Sequence, residues 1–348
     1  MLDLISSGKL KPGDQLPPLR HWAGVIGVAY ETMSKAIREL VEAGVLEARP
    51  KWGTRVAMRG AQARRRVGAV GVVVTDYSQG FLKQSRFYGG LMPMLQDELM
   101  KQQERVTFER WQPGMAMPQM FDQLSMVDGV ILMGNVSYPI EGILAVENLG
   151  VPTLFVGGEL MDPRVHFVRS DDFADCQEAV QQLAAMGHRA IAVWADPEDP
   201  RGLGYDRGLI EAGLTPRADY RLVEKSVDLV VQRLAALRER PTALLVARHM
   251  DRVGDLVRGL NASGFRVGTD LHLCVYDDDL WSHLAPLGIP YSHIEQPLAE
   301  LAIEAARHIL SRIEGRYEGP THVMLRSRFI SIPAPLISSG HSPQLGAP

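Results

Sequence analysis

The chain of 348 residues has only two cysteines, Cys176 and Cys274, and no long apolar run. Two cysteines do not suggest a disulfide framework, and a low cysteine count is typical of a reducing compartment. No apolar segment reaches the length that a transmembrane helix needs, and residues 1–11 lack the pattern of a signal peptide. We therefore predict a cytoplasmic protein with no membrane partner.

Motifs of several enzyme classes are also absent from the sequence. The chain contains no GxxxxGK(S/T), no HExxH, no GxSxG and no strand-linked GxGxxG. The acidic run Asp277–Asp279 could be taken for a metal site, but nothing nearby supplies the remaining ligands. The histidines are scattered, and His188 lies at a predicted helix end, where capping explains it. We expect no catalytic activity, no cofactor and no metal site.

The segment from Leu16 to Val56 has the pattern of a winged helix-turn-helix. Pro17 and Pro18 suit the first turn of a helix, and Gly27 suits its end because glycine readily adopts positive φ. A second periodic run, residues 32–42, is followed by two short strands. A short second helix with polar residues at its exposed start is the element that enters a major groove.

Apolar spacing predicts which side chains of this segment form its core. In the first helix the predicted core side chains are Leu19, Trp22, Ala23 and Ile26, and Val28 is predicted to be buried in the turn. In the second helix they are Met33, Ala36, Ile37, Leu40 and Val41.

The same segment resembles the GntR family of winged-helix repressors. The matching positions are Leu16-Pro17, Arg20, Ala23, Gly27-Val28, Thr32, Leu40, Gly44, Leu46, Gly53-Thr54 and Val56. Three positions depart from the family pattern, which usually has an acidic residue at Leu19, Ser or Thr at Ala29 and Arg at Tyr30. The missing arginine removes a phosphate or base contact from the tip of the recognition helix.

The candidate DNA contacts are polar or basic side chains on the two helices and the wing. On the helices these are Arg20, Thr32, Ser34, Lys35 and Arg38, and on the wing Lys51 and Arg55. Each of them could equally be a solvated surface residue. The charge distribution favours a role in DNA binding, because residues 1–66 carry 12 basic against 6 acidic side chains and the remainder carries a net charge of −10.

A basic run, Arg64–Arg66, ends the segment that joins this head to the rest of the chain. The run could lie along DNA phosphates and add salt-dependent affinity, or it could be a solvated tether. From Val67 onward the pattern alternates between buried strands and helices, which predicts doubly wound α/β units. Two such series follow one another, so we expect two similar lobes with a cleft between them.

The predicted fold class is therefore α/β, with a small winged helix-turn-helix domain followed by a two-lobed, doubly wound effector domain. We predict a DNA-binding domain at residues 1–58, a linker at 59–67, an effector-binding and dimerisation domain at 68–335 and a flexible tail at 336–348. In the first series, a helix is predicted over Pro118–Leu124. In the second series, the last predicted strand is Leu271–Tyr276.

Residues 67–335 resemble the effector domain of the LacI/GalR repressors, which is similar to periplasmic sugar-binding proteins. The matching positions are Asp171, Gly187-His188-Arg189, Arg201, Gly204, Tyr205, Leu209, Ala212-Gly213-Leu214, Pro241-Thr242-Ala243, Gly254, Tyr276-Asp277-Asp278 and Gln296-Pro297. A GntR-like head on a LacI-like body is the arrangement of the arabinose-repressor type of hybrid regulator, and the chain is identified as a member of that group.

The LacI resemblance implies a set of ligand-binding positions. Arg201 takes the place of the arginine that binds ligand hydroxyls or a carboxylate, and Asp277 that of the carboxylate that accepts hydroxyl hydrogens. Asp171 lies where the chain crosses between the lobes. The loop Asp76–Phe81 is expected to line the same cleft, with Tyr77 or Phe81 stacking on a sugar.

Structural alternatives exist for each of these positions. Arg201 and Asp277 could form a salt bridge between lobes, Asp171 could be a helix N-cap, and the loop aromatics could be core. Arg248 and His249 stand where the family usually has Asn and Asp. This departure either favours an anionic or phosphorylated ligand or has no effect because both side chains point away.

The resemblances imply a repressor that binds double-stranded operator DNA as a homodimer. A small molecule, expected to be a sugar or sugar derivative, would bind between the lobes, change their relative angle and so shift the two heads on a palindromic operator. The alternative is a sugar-binding protein whose DNA-binding head is vestigial or weak, since Ala29 and Tyr30 depart from the family pattern.

Overall fold

The structure is a computed structural model. It describes residues 13–42, 45–49, 53–56, 66–75, 86–111, 126–134, 140–148, 150–158, 162–276, 287–316 and 321–333, together with residues 4, 10 and 284. The predicted helix at Pro118–Leu124 and the predicted tail at residues 336–348 lie outside these residues. No helix in the described ranges is long and apolar enough to cross a membrane.

The head consists of two helices followed by an antiparallel strand pair. Helix α1 spans Leu19–Ile26 and helix α2 spans Tyr30–Glu42, while β1 (Leu46–Arg49) pairs with β2 (Gly53–Val56). Gly27 ends α1 in the left-handed conformation with φ 77°, and its N–H donates to the carbonyl oxygen of Ala23. The helix-turn-helix and wing predicted from the sequence are confirmed.

A small core of buried apolar side chains holds the head together. Its members are Leu16, Ala23, Met33, Ile37, Val45, Leu46 and Val56. Three predicted members were wrong, because Ile26 is 48% exposed, Val28 is 37% exposed and Ala36 is also exposed. Val28 follows the left-handed turn, which directs it outward, and Ala36 is rotated by about 100° from Ile37 around the helix, away from the core.

The first α/β unit begins after the head. Its elements are β3 (Ala69–Thr75), α3 (Arg86–Lys101), β4 (Arg105–Trp111), β5 (Gly129–Met133), α4 (Ile140–Asn148), β6 (Thr153–Val156) and β7 (Phe167–Ser170). Neighbouring strands among these pair in parallel. The core strands are continuous runs of valine, leucine and isoleucine, because helices cover a parallel sheet on both faces.

The second α/β unit repeats the pattern. Its elements are α5 (Asp172–Ala185), β8 (Ile191–Trp194), α6 (Pro200–Glu211), β9 (Arg221–Leu222), α7 (Val227–Ala236), β10 (Ala243–Val246), α8 (Val253–Ala262), β11 (His272–Tyr276) and β12 (Tyr291–Glu295). The doubly wound character predicted from the alternating pattern is confirmed in both units.

Three elements close the described chain: α9 (Leu298–Ile313), β13 (His322–Leu325) and β14 (Arg328–Ile332). Helix α9 packs on the first sheet, since a Cβ at Gly129 would lie 2.9 Å from Ile313. The sheet orders are β13-β7-β6-β5-β3-β4 and β14-β12-β11-β10-β8-β9. The last two strands therefore belong to different units.

The strand pattern read from the sequence omits β12, β13 and β14. Strands β13 and β14 are partly exposed edge strands, so they lack the continuous apolar run that marks the central strands. From Tyr88 onward, the chain leaves the first compact unit after Arg169, returns at Leu298 and leaves it again after Leu325. The predicted domain boundaries are untested and stay a prediction.

The last residue of the basic run is bound to the first α/β unit. Arg66 forms ion pairs with Glu104, Asp128 and Glu314. The N–H groups of Val67 and Gly68 also donate to the Asp128 carboxylate, at 2.9 Å and 2.7 Å. Arg66 therefore anchors the start of this unit, whereas Arg64 and Arg65 lie outside the described residues.

Candidate functional site

The exposed face of α2 carries most of the predicted DNA contacts. Thr32, Lys35 and Arg38 are exposed and Ser34 is partly exposed. Lys35 lies about 180° around the helix from the midpoint of Met33 and Ile37, which are buried in the head core. A duplex could reach this face without any rearrangement of the core.

Arg20 and Tyr30 come together at the start of the two helices. The guanidinium carbon of exposed Arg20 lies 5.9 Å from the centre of the Tyr30 ring, and Tyr30 is 47% exposed. This distance is within the range of a cation–π contact. Tyr30 stands where the family usually has arginine. Its contact with Arg20 therefore still places one guanidinium beside the N-terminus of α2.

The wing contributes less than the helices. Arg55 on β2 is only partly exposed and stands opposite Glu47 in the strand register. Opposite charges in such positions attract one another across a strand pair, which leaves Arg55 less available to a phosphate. The other predicted wing contact, Lys51, lies outside the described residues.

A polar cluster in the second unit lies where three neighbouring parallel strands end. Asp196 follows β8, Arg248 and His249 follow β10, and Tyr276 is the last residue of β11. Arg201 is in the first turn of α6, the helix that follows β8. Open α/β sheets bind ligands at this carboxyl edge.

The Arg201 side chain is 14% exposed and is held by three groups. Its Nη1 donates to the Ala247 carbonyl oxygen at 3.0 Å, its Nη2 lies 3.4 Å from Asp172 Oδ1, and its Cζ lies 4.1 Å from the centre of the Tyr276 ring. The Nε atom is buried and has no hydrogen-bond partner among the described residues. Arg201 is thus positioned firmly while one donor stays unused.

Two buried carboxylates flank the Tyr276 hydroxyl. The hydroxyl lies 2.6 Å from Asp172 Oδ1 and 3.2 Å from Asp175 Oδ2. Burial raises the pKa of Asp175, although hydrogen bonds from Ser327 and Arg326 oppose that shift. Burial also raises the pKa of Tyr276 well above its ordinary value, so the phenol stays protonated.

The remaining described candidates have structural partners. Asp171 caps α5, since its Oδ1 accepts from the Ala174 N–H at 3.1 Å. Arg248 forms an ion pair with Asp196. His249 has φ 54° and its ring centre lies 5.2 Å from that of Trp194. Burial, followed by the charge of Arg248, lowers the pKa of His249 and favours its neutral form.

The structure brings Arg201, Arg248 and His249 to one edge, but four predicted ligand contacts lie outside the described residues: Asp76, Tyr77, Phe81 and Asp277. Asp172 and Asp175 were missed by sequence reasoning, because acidic residues in the first turn of a helix are explained by the helix dipole alone. Only their burial distinguishes them.

The histidines outside this edge have other roles. The His188 N–H donates to the Leu183 carbonyl oxygen at 3.1 Å, so its backbone caps α5, while its imidazole contacts Thr242. The predicted role of His188 at the end of α5 is thus carried by its backbone N–H and not by its imidazole. Among the described residues, no group of three or more His, Cys, Asp or Glu side chains is arranged to hold a metal ion.

Two family models match the chain. Residues 1–56 match the bacterial regulatory proteins of the gntR family, and residues 180–330 match the periplasmic binding protein-like domain. The first model covers the head and the second covers most of the second α/β unit together with the last three elements. The chain thus combines both parts that the sequence resemblances predicted.

Two transcriptional regulators are similar to this chain over most of its length. The transcriptional regulator CelR of Thermobifida fusca is 28% identical over 342 residues, covering 90% of this chain and 97% of CelR. The arabinose metabolism transcriptional repressor of Geobacillus stearothermophilus is 22% identical over 336 residues, covering 91% and 90%.

A solved structure of a CelR–cellobiose complex aligns with a TM-score of 0.63 at 24% identity, over 90% of this chain and 98% of that one. That alignment supports the fold of the described residues that it covers. The chain therefore carries a gntR-family match in its head and a periplasmic binding protein-like match in its second unit, and it is similar over most of its length to transcriptional regulators.

Proposed function

We propose that this regulator is a cytoplasmic repressor that binds operator DNA through α2 and an uncharged sugar at the carboxyl edge of the second sheet. The observation that carries the proposal is the meeting of Arg201 with the ends of β8, β10 and β11 at one edge. The relative whose complex with cellobiose has been solved supports a sugar as effector.

An uncharged effector is favoured over an anionic one by the pairing of the cations at this edge. Arg248 is bound to Asp196, and Arg201 lies 3.4 Å from Asp172. The lowered pKa of His249 keeps that imidazole neutral at physiological pH. An incoming phosphate would therefore meet only cations that are already opposed by a carboxylate, whereas the hydroxyls of an uncharged sugar need no unpaired positive charge.

We also infer that the repressor is a homodimer. Edge strand β4 exposes Phe108, and helix α3 exposes Met94 and Met100 in the same unit. Large apolar side chains exposed at a sheet edge invite pairing with another chain. A homodimer would present two heads to two operator half-sites. Sedimentation velocity should give a dimer, and a monomer at micromolar concentration would contradict it.

The repressor function is tested by binding to the DNA upstream of its own gene. Fluorescence anisotropy at low salt should detect binding, and a panel of neutral sugars that includes cellobiose should change the affinity. If the protein binds sugar but no DNA, the second candidate holds, a sugar-binding protein with a vestigial head. Tyr30 in place of the family's arginine is the observation that favours this second candidate.

Replacing Lys35 and Arg38 together by glutamine should weaken operator binding and flatten its salt dependence. Each lost phosphate contact reduces the slope of log K against log salt by about 1. Arg258→Gln is a matched control, because Arg258 is also an exposed helical cation and lies outside the head. An unchanged slope in the double variant would place the DNA-binding surface elsewhere.

Replacing Asp196 by asparagine should change which sugars bind. The substitution removes the carboxylate that opposes Arg248, so affinity for glucose 6-phosphate should rise about tenfold or more, while affinity for glucose should change little. Calorimetry with both sugars measures this. Asp255→Asn is a suitable control because Asp255 pairs with Arg258 on α8. Tighter phosphate-sugar binding by the unmodified protein would refute the uncharged effector.

A further inference from the structure

A connected series of buried polar side chains runs from Arg201 to the point where the chain last enters the second unit. The series passes from Arg201 to Asp172, Tyr276 and Asp175, and ends at the backbone of Ser327. All five residues belong to the second unit. We call each place where the chain passes from one compact unit to the other a crossover. The series therefore connects the candidate effector site with the crossover at Arg326–Ser327, and it does so within the second unit.

The first half of the series is centred on Tyr276. Its ring lies under the Arg201 guanidinium, and its hydroxyl donates to Asp172 Oδ1 at 2.6 Å. The same Asp172 Oδ1 also faces Arg201 Nη2 at the longer distance of 3.4 Å. Any movement of the guanidinium toward a ligand would thus change both the support of the ring and the charge opposite Asp172.

The second half of the series is centred on Asp175, whose side chain is 0% exposed. Its Oδ2 lies 3.2 Å from the Tyr276 hydroxyl, and its Oδ1 accepts from the Ser327 N–H at 3.0 Å and from Arg326 Nε at 3.2 Å. Arg326 and Ser327 are the first residues of the second unit after β13. A single helix, α5, therefore presents one carboxylate to Arg201 and another to the crossover.

Two further crossovers, the one after Arg169 and the one before Leu298, are joined in a similar way. The Ser170 hydroxyl donates to Gln296 Oε1 at 2.8 Å, and both groups are buried. Ser170 is the first residue after the crossover at Arg169, and Gln296 lies two residues before the crossover at Leu298. Burying carboxylates and amides costs more than burying apolar side chains of similar size. A purely structural core would not need this set of buried polar side chains beside these crossovers.

We propose that Asp172, Tyr276 and Asp175 are positioning residues that couple effector binding at Arg201 to the crossover at Arg326–Ser327. The effect on operator binding rests on the proposed function, whereas the hydrogen-bonded connection between Arg201 and Ser327 does not. When a sugar hydroxyl accepts from Arg201, the guanidinium moves relative to Asp172. The Tyr276 hydroxyl then shifts its hydrogen bonding between Asp172 and Asp175, which alters the hydrogen bond from the Ser327 N–H to Asp175.

The test uses the full-length protein with Tyr276→Phe, which keeps the ring under Arg201 and removes only the hydroxyl. Tyr205→Phe is the matched control, because the Tyr205 hydroxyl is also buried and donates to the Ile191 carbonyl oxygen, outside the series. In Tyr276→Phe, amide hydrogen exchange of a peptide covering residues 321–333 should be about tenfold faster than in the unmodified protein. Tyr205→Phe should leave it unchanged.

The regulatory part is measured as the ratio of operator affinities without and with cellobiose. In Tyr276→Phe this ratio should fall to within about twofold of unity, while cellobiose affinity changes less than about threefold. Asp175→Asn, which can still accept from Ser327 but loses its charge, should have an intermediate ratio. Equal exchange at residues 321–333 in both tyrosine variants would overturn the connection.

The two proposals fail in different ways. If the unmodified protein binds neither operator DNA nor cellobiose, the proposed function fails, and the exchange experiment still decides whether the series holds the crossover. If the unmodified protein responds to cellobiose and Tyr276→Phe responds equally, the coupling is wrong and the proposed function stands.

Discussion

Replacing Arg201 by alanine should abolish the response to sugar and leave operator binding without sugar nearly unchanged. A hydrogen bond from a guanidinium contributes about 1.5–3 kcal/mol, so losing one should weaken binding of the proposed sugar effector by about 10-fold or more. Calorimetry gives the sugar affinity, and fluorescence anisotropy across a cellobiose titration gives the operator response.

The same substitution should also destabilise the second unit. Asp172 would remain buried and would lose the guanidinium that faces it, while it keeps the hydrogen bond from the Tyr276 hydroxyl. Breaking a buried ion pair from one side costs about 3 kcal/mol, which thermal unfolding can measure. Arg201→Lys is the control, because lysine keeps the charge but not the planar fork of donors. An unchanged sugar response in Arg201→Ala would remove Arg201 from the effector site.

Replacing Gly204 by alanine should strongly destabilise the second unit, although it adds only one methyl group. A Cβ at Gly204 would lie 2.1 Å from the Phe173 carbonyl oxygen and 2.9 Å from its carbonyl carbon. These are backbone atoms of α5, so the clash can be relieved only by separating α5 from α6. Overpacking of this kind costs about 3 kcal/mol, which lowers Tm by roughly 6–12 °C for a domain of this size.

Gly259→Ala is the matched control for this prediction. Gly259 is also helical, but a Cβ there would meet the Val231 Cγ2 methyl group at 3.0 Å. A side chain can yield by a few tenths of an ångström, so Tm should change by less than about 3 °C. Because α5 carries Asp172 and Asp175 and α6 carries Arg201, Gly204→Ala should also weaken sugar binding. An equal Tm in both variants would mean that α5 and α6 are less closely packed than the contact implies.

The candidate site was only partly predictable from the sequence. Arg201 could be identified because it lies at a recognisable distance from Gly204 and Tyr205 in the LacI-like pattern. Its partners could not, since Asp172 is 29 residues away and the Tyr276 hydroxyl reaches Asp172 across 104 residues. Whether a charge is paired depends on such distant neighbours. The sequence therefore leaves open whether the effector is anionic or neutral, and our proposal of a neutral effector depends on the ion pair between Arg248 and Asp196.

The sequence by itself determined the elements whose cause is local. Gly27 ended α1, the spacing of Met33 and Ile37 defined the buried side of α2, and the apolar runs predicted the central strands of both sheets. Each of these depends on backbone preference or on a periodicity that a few neighbouring residues fix.

Only the tertiary structure decided which polar groups are buried together and where the last strands belong. Strands β13 and β14 follow one another closely in the chain yet join different sheets, because strand partners are chosen by the free edge that is available and not by local sequence. In the same way, Asp172 and Asp175 resemble ordinary residues of a helix start, and only packing against β11 and residues 326–327 encloses them. Burial changes the energy of a charge far more than any local preference does.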